Sequence, residues 1–248
     1  MNNQFDPRGN VAPGATIGVP RVARDAGLRS YMLTVYNYMA SGVALTGAVA
    51  LGVANSSLIN AIINPVTGHP TMLYYVVLFA PLALVMGMSF GANRISASTA
   101  RTLFFLYAGL LGASLSTLFL VYTGGSIATT FFATAAGFLG LSLFGYTTKK
   151  DLTAFGSFLI IGVVGLFIAM MINLFLRSPA LDMAVSAIGV LLFAGLTAYD
   201  TQKIKSMYAQ AAGNSEALAK LAVFGALKLY MDFINMFLFL LRFMGDRR

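Results

Sequence analysis

Eight carboxylates are spread along the chain: Asp6, Asp25, Asp151, Asp182, Asp200, Glu216, Asp232 and Asp246. Six fall in polar tails or loops, where water solvates them. Asp200, in GLTAYDTQKIKSMY, closes an apolar run, and Asp232, in ALKLYMDFINMFLFLLRFMG, lies inside one. Ionisable groups in such runs are costly; they line a cavity, pair with another group, or carry protons or ions. Asp200 precedes Lys203 by three residues, and Asp232 follows Lys228 by four. If the two runs are antiparallel helices rising about 1.5 Å per residue, each acid lies roughly one turn inward of a lysine that can reach the interface. Both carboxylates then sit at similar depth and could face each other. Two carboxylates in a poorly solvated site do not both ionise cheaply, so such a pair titrates as a unit. A shared proton would hold the helices together. Its loss would add repulsion and leave a negative site attractive to a cation. Spacing alone does not prove contact, and an inert interhelical hydrogen bond or pairing with Lys203 or Lys228 is the plainer alternative.

Other polar groups could support the pair. Arg94, at the end of another apolar run, could neutralise the acids in a closed state, and Arg101 is equally close to that interface; both also fit as simple interfacial anchors. Asn235 lies three residues from Asp232, on a neighbouring part of the same helical face. Asn37 and Asn173 fit helix-bridging roles. Soluble-enzyme chemistry finds little footing. There is no cysteine, and His69 is the single histidine, which removes thiolate chemistry and a multi-histidine zinc site. TGGSIATT lacks a Walker pattern, no GxSxG occurs, and SAST at Ser96–Thr99 has no histidine near it. No enzymatic activity is expected.

The elements that must position these residues follow from hydropathy. The 248 residues are 58% hydrophobic and 10% charged, with mean hydropathy +0.80, against about 25% charged in soluble domains. An all-α integral membrane protein is expected. Seven apolar segments cover approximately Tyr31–Val53, Met72–Phe90, Leu103–Tyr122, Ile127–Tyr146, Phe155–Leu176, Met183–Tyr199 and Leu221–Leu241, and a spanning helix needs roughly 17–25 residues. Residues 1–29 are polar and basic, without the apolar core of a secretory signal, and are expected to be a disordered tail; residues 30–248 form the membrane domain. Small residues at helical spacing, Ala44/Ala48/Gly52 and Ala133/Gly137 with Gly140, suggest faces of close helix approach.

Basic residues alternate between loops. Arg8, Arg21, Arg24 and Arg29 precede segment 1; Arg94 and Arg101 follow segment 2, Lys149 and Lys150 segment 4, and Lys203, Lys205 and Lys220 segment 6. The other loops carry only Arg177. The positive-inside rule then puts the N-terminus in the cytoplasm. Arg242, Arg247 and Arg248 break the pattern if segment 7 spans. Spanning is still preferred to a re-entrant turn, which would leave backbone unpaired in lipid. The formal charge of +8 needs no nucleic-acid partner: topology and anionic lipids account for it.

The YDTQ and LYMDFIN stretches, with SASTARTLFFLYAGLLGASLSTLFLVYTGGSIATTFF in the middle of the chain, resemble the Bax inhibitor-1 (transmembrane Bax inhibitor motif) family from about Arg29 onward, in the style of its bacterial members. The resemblance implies seven helices, six surrounding a central C-terminal one, and a proton-sensitive calcium leak. It places the family's paired aspartates on Asp200 and Asp232 and, more loosely, its latch arginine on Arg94. The expected function is therefore a pH-sensitive Ca²⁺ leak channel of a bacterial inner membrane, exchanging Ca²⁺ and protons with the acid pair and holding no tightly bound cofactor. Ca²⁺ takes roughly 6–8 oxygens, so two carboxylates would bind it weakly, with water and backbone carbonyls completing the shell. The alternative is a non-transporting regulator of a membrane protease or another membrane partner, as the resemblance also implies for some bacterial relatives. A proton-coupled transporter ranks lower, because no broken helices or repeat pair appear.

Overall fold

In lipid, backbone N–H and C=O groups must be satisfied within their own segment, so long apolar runs become helices. The computed structural model describes residues 21–211 and 213–248. It contains seven helices long and apolar enough to cross a membrane. They are α1 (Arg21–Ala54), α2 (Met72–Gly91), α3 (Ala97–Leu115), α4 (Gly124–Thr147), α5 (Thr153–Leu176), α6 (Pro179–Ala211) and α7 (Ser215–Met244). Two short helical turns, Leu58–Ile62 and Leu118–Val121, occupy the connections after α1 and α3.

Two helices run well past their apolar cores. α1 begins at Arg21, so residues 21–29 belong to the first helix and not to a tail; residues 1–20 lie outside the described residues. α6 continues from the apolar run through the whole of GLTAYDTQKIKSMY. Nothing in that stretch stops a helix. The stop comes at Gly213, whose φ of +99° suits a glycine. Asn214 then starts α7, its side chain accepting from the N–H of Ala217 at 2.9 Å. The water line and the helix end are thus separate events, and Asp200 is far inside α6.

α7 runs unbroken for 30 residues, about 45 Å at 1.5 Å per residue, with no re-entrant turn. It packs directly on α1, α3, α4 and α6; α2 packs mainly on α3, and α5 mainly on α6. Its buried face carries Leu229, Tyr230, Phe233, Met236, Phe237 and Leu241. Tyr230 meets Phe104 and Tyr107 edge-on, and Phe131 and Phe138 do the same to Phe233. The terminal arginines that offend the charge rule are locally compensated. Arg242 pairs with Asp182 at the start of α6 at 2.8 Å, and the backbone of Asp246 and Arg248 bonds to Thr123, Ser126 and Val121.

The expected small-residue faces are not the ones that pack. Ala44, Ala48, Gly52, Ala133, Gly137 and Gly140 are all exposed on the bundle, and a Cβ at Gly52, Gly137 or Gly140 would meet nothing within 4 Å. The close approaches use other glycines. A Cβ on Gly112 would lie 2.6 Å from the carbonyl oxygen of Thr46, and one on Gly145 would run into the backbone of Ala198. The buried face of α4 is instead Thr130, Thr134, Phe138, Ser142 and Gly145. The two faces share one helical period, so spacing does not separate them.

Gly145→Leu is therefore expected to destabilise the bundle by at least about 1–3 kcal/mol through overpacking, and Gly137→Leu by less than about 0.5 kcal/mol. Thermal unfolding of the two variants in the same detergent measures this, and equal losses would contradict the α4–α6 contact.

Candidate functional site

Asp200 comes from the last third of α6 and Asp232 from the middle of α7. Each residue is only 5% exposed. The antiparallel crossing of α6 and α7 brings the two carboxyl groups together in one buried site. Among the described residues the cation paired with the site is Lys228, one turn before Asp232, whose Nζ donates to Asp200 Oδ1 at 2.8 Å. Lys228 is half-exposed, so its stem lies along the helix while its ammonium reaches across to α6. Asp232 Oδ2 is buried and has no hydrogen-bond partner among the described residues. The site thus holds two carboxylates, one ammonium and one oxygen without a donor. Burying a second unpaired negative charge there would be expensive, and a proton bridging the carboxyls is the simplest neutral arrangement.

The neighbours of Asp200 are each held by another helix. Gly145 of α4 abuts Ala198, and Gly156 of α5 abuts the Tyr199 ring. Thr201 shares a hydrogen bond with Ser142 of α4 at 3.0 Å, and Ser142 shares another with the Tyr36 hydroxyl of α1 at 2.7 Å. Gln202 accepts from the N–H of Leu152 at 2.9 Å and donates to the carbonyl of Lys150 at 2.8 Å. Lys205 donates to the carbonyl of Tyr146 at 2.6 Å. From α7, Glu216 accepts from the N–H of Ala97, and Lys220 donates to the carbonyl of Ala92. The loops on this side are therefore pinned by side chains of α6 and α7.

The proposed supporting residues stand elsewhere. Arg94 is exposed in the turn after α2 and makes no ion pair with either aspartate; the guanidinium of Arg101 lies 5.8 Å from the Tyr38 ring centre. The place expected for an arginine latch is taken, in this conformation, by Lys228. Asn235 donates to the carbonyl of Met231 in its own helix and so does not reach Asp232. Asn173 acts at the helix ends: its Oδ1 accepts from the N–H of Ser178, the residue that opens α6, and so ties the end of α5 to the start of α6. Asn37 is exposed. Lys203 donates to the Tyr199 hydroxyl at 3.3 Å, not to an acid. Ser142, Thr201 and Tyr36 escaped the sequence reading, although Ser142 is a polar residue inside an apolar run and Thr201 adjoins Asp200. No group of three or more carboxylates and histidines forms among the described residues, so a cation here would complete its shell with water and backbone oxygens.

Residues 28–248 match the family described as inhibitor of apoptosis-promoting Bax1. An uncharacterized protein of Rickettsia prowazekii is 50% identical over 90% of this chain and 92% of its own length. One of Caulobacter vibrioides is 48% identical over 90% and 91%. The inner membrane protein YbhL of Escherichia coli K12 is 45% identical over 90% and 94%.

Replacing Lys228 by Met should strand both carboxylates without a countercharge. Unfolding in detergent at neutral pH should show a loss of about 1.5–3 kcal/mol, the range for a hydrogen bond to a charged group. The loss should shrink as pH falls and the carboxylates take up protons, and adding Asp200→Asn to Lys228→Met should recover part of it. Equal losses in the single and double variants would remove Lys228 as the pair's countercharge.

Proposed function

We propose that this chain, which belongs to the Bax inhibitor-1 family, is a pH-sensitive calcium leak channel of a bacterial inner membrane, its N-terminus in the cytoplasm. The carrying observation is two carboxylates in one buried site served by one half-exposed ammonium. With a proton between Asp232 and Asp200, the site is neutral and α6 and α7 hold together. When the proton leaves, the carboxylates repel and the site attracts a divalent cation, which competes with Lys228 for Asp200. Weak, incompletely protein-made coordination suits an ion that must also leave. Beyond the pair, Phe233, Phe237 and Leu241 of α7 are buried among neighbouring helices, so α7 is the plug that must shift for ions to pass. The name of the Escherichia coli relative supports the membrane assignment.

That same aromatic packing favours a second reading. It leaves the closed bundle without a polar path past α7, as in a protein that regulates a membrane protease or another membrane partner without conducting.

Reconstitution in liposomes distinguishes the two. Calcium flux above that of protein-free vesicles, rising between roughly pH 6 and pH 8, is expected of the wild type. Asp200→Asn and Asp232→Asn should flatten that rise. No flux at any pH would sink the channel and leave the regulator; flux with unaltered pH dependence in both variants would keep the channel and dismiss the pair as its sensor.

A further inference from the structure

The opposite end of the α6–α7 pair carries the reverse charge balance. Arg177 from the end of α5, Arg242 from α7 and Arg247 from the C-terminal segment line one open cavity of about 400 Å³ together with Asp182. An adjoining cavity of about 370 Å³ shares Arg177, Asp182 and Arg242. The one carboxylate is committed, with Oδ1 at 2.8 Å from Arg242 and Oδ2 at 3.9 Å from Arg247. Arg177 has no ion-pair partner among the described residues. Its backbone is left-handed, φ +50° and ψ +35°, a conformation uncommon for a residue with a side chain. It is braced there by its own N–H to the carbonyl of Asn173 and by the Ser178 N–H to Asn173 Oδ1. Asp246, adjoining Arg247 in sequence, makes no ion pair with any of the three arginines among the described residues.

Three guanidinium groups against one carboxylate leave an unmatched positive charge where the charge rule least favours it. The apolar part of the cavity lining is open: Leu174 is 64% exposed, and Met171, Met183 and Phe243 are exposed too. A soluble anion would use the guanidinium groups and ignore that lining. A phospholipid would use both, its phosphate accepting from planar, bidentate donors and its acyl chains lying along α5 and α6.

We propose that Arg177, Arg242 and Arg247 form a headgroup site for an anionic phospholipid in the leaflet at the C-terminal end of α7. The site stands apart from the acid pair: Asp182 and Asp200 are 18 residues apart in α6, about 27 Å along the helix. It does not depend on the protein conducting ions.

Native mass spectrometry of the delipidated protein in detergent tests it. The probes are phosphatidylglycerol, phosphatidylcholine with the same acyl chains, and glycerol phosphate. Phosphatidylglycerol should be retained in preference to phosphatidylcholine. Arg177→Gln and Arg247→Gln should each weaken that retention about fivefold, the effect of one basic residue at an anionic surface. Both side chains are exposed, and Arg247 lies beyond the last helical turn, so the bundle remains as a fold. Lys149→Gln with Lys150→Gln, at the other end, should leave the preference intact. Equal retention of the two lipids, or a preference lost with the lysines and kept without the arginines, would overturn the site. Displacement of the lipid by glycerol phosphate at matched concentration would mark a soluble-anion site and overturn the lipid assignment.

Discussion

The ammonium of Lys228 stands between two aspartates and bonds only one of them, and much of the bundle can be understood from that shortage. A carboxylate pair with a single countercharge in a poorly solvated site has to be held rigidly, because any loosening admits water and dissolves the coupling between the acids. The stretch around Asp200 meets this demand residue by residue. Ala198 is fixed by Gly145, Tyr199 by Gly156, Thr201 by Ser142, and Ile204 by contact with Gly225. Gln202 holds the loop between α4 and α5. Three different helices therefore press on about two turns of α6. The glycines matter there because they let whole helices approach, which sets the depth and facing of one carboxyl group.

The two ends of the α6–α7 pair are chemically inverted. At one end, one cation pairs with one of two buried acids; at the other, Asp182 is shared by Arg242 and Arg247, with Arg177 beside them. An unneutralised arginine cluster at that end would set up a positive potential across a low-dielectric bundle, opposing any cation leaving by that route. An anionic lipid at the cluster would cancel it. The proposed lipid site and the proposed ion path are thus separable in experiment but linked in electrostatics.

Several features were legible from residue types alone. The helices, the family and the candidate acids follow from hydropathy, from YDTQ and LYMDFIN, and from the rarity of carboxylates in apolar runs. Pairing with Lys203 or Lys228 was an alternative the spacing left open, and Lys228 makes it; which lysine and which acid meet was not legible, because contact depends on how far α6 slides past α7, and no periodicity reports that. The spacing of Lys228 and Asp232 pointed to a snorkelling anchor, whereas the ammonium crosses to the other helix. The packing faces were misplaced for a related reason. Gly137 and Gly145 look alike in sequence, and in lipid an exposed glycine costs too little to be excluded by hydropathy. The length of α6 was also hidden, since apolarity ends at the water line while the helix continues to Ala211.

The paired contacts also restrict how α7 could act as a plug. Lys228–Asp200 and Arg242–Asp182 lock the same two helices at points 14 residues apart on α7, about 21 Å along its axis. A slide of one helical turn, about 5.4 Å, would break both ion pairs together and carry the buried aromatic residues of α7 out of their edge-on contacts. A tilt about the Arg242 end breaks only one. It opens the crossing where the carboxylates come together and where proton loss supplies the repulsion. It leaves the C-terminal segment on its hydrogen bonds to the turn between α3 and α4. If α7 acts as the proposed plug, a tilt with the arginine-rich end as pivot therefore breaks fewer ion pairs than a slide, and it must also release the Glu216–Ala97 and Lys220–Ala92 hydrogen bonds near the start of α7.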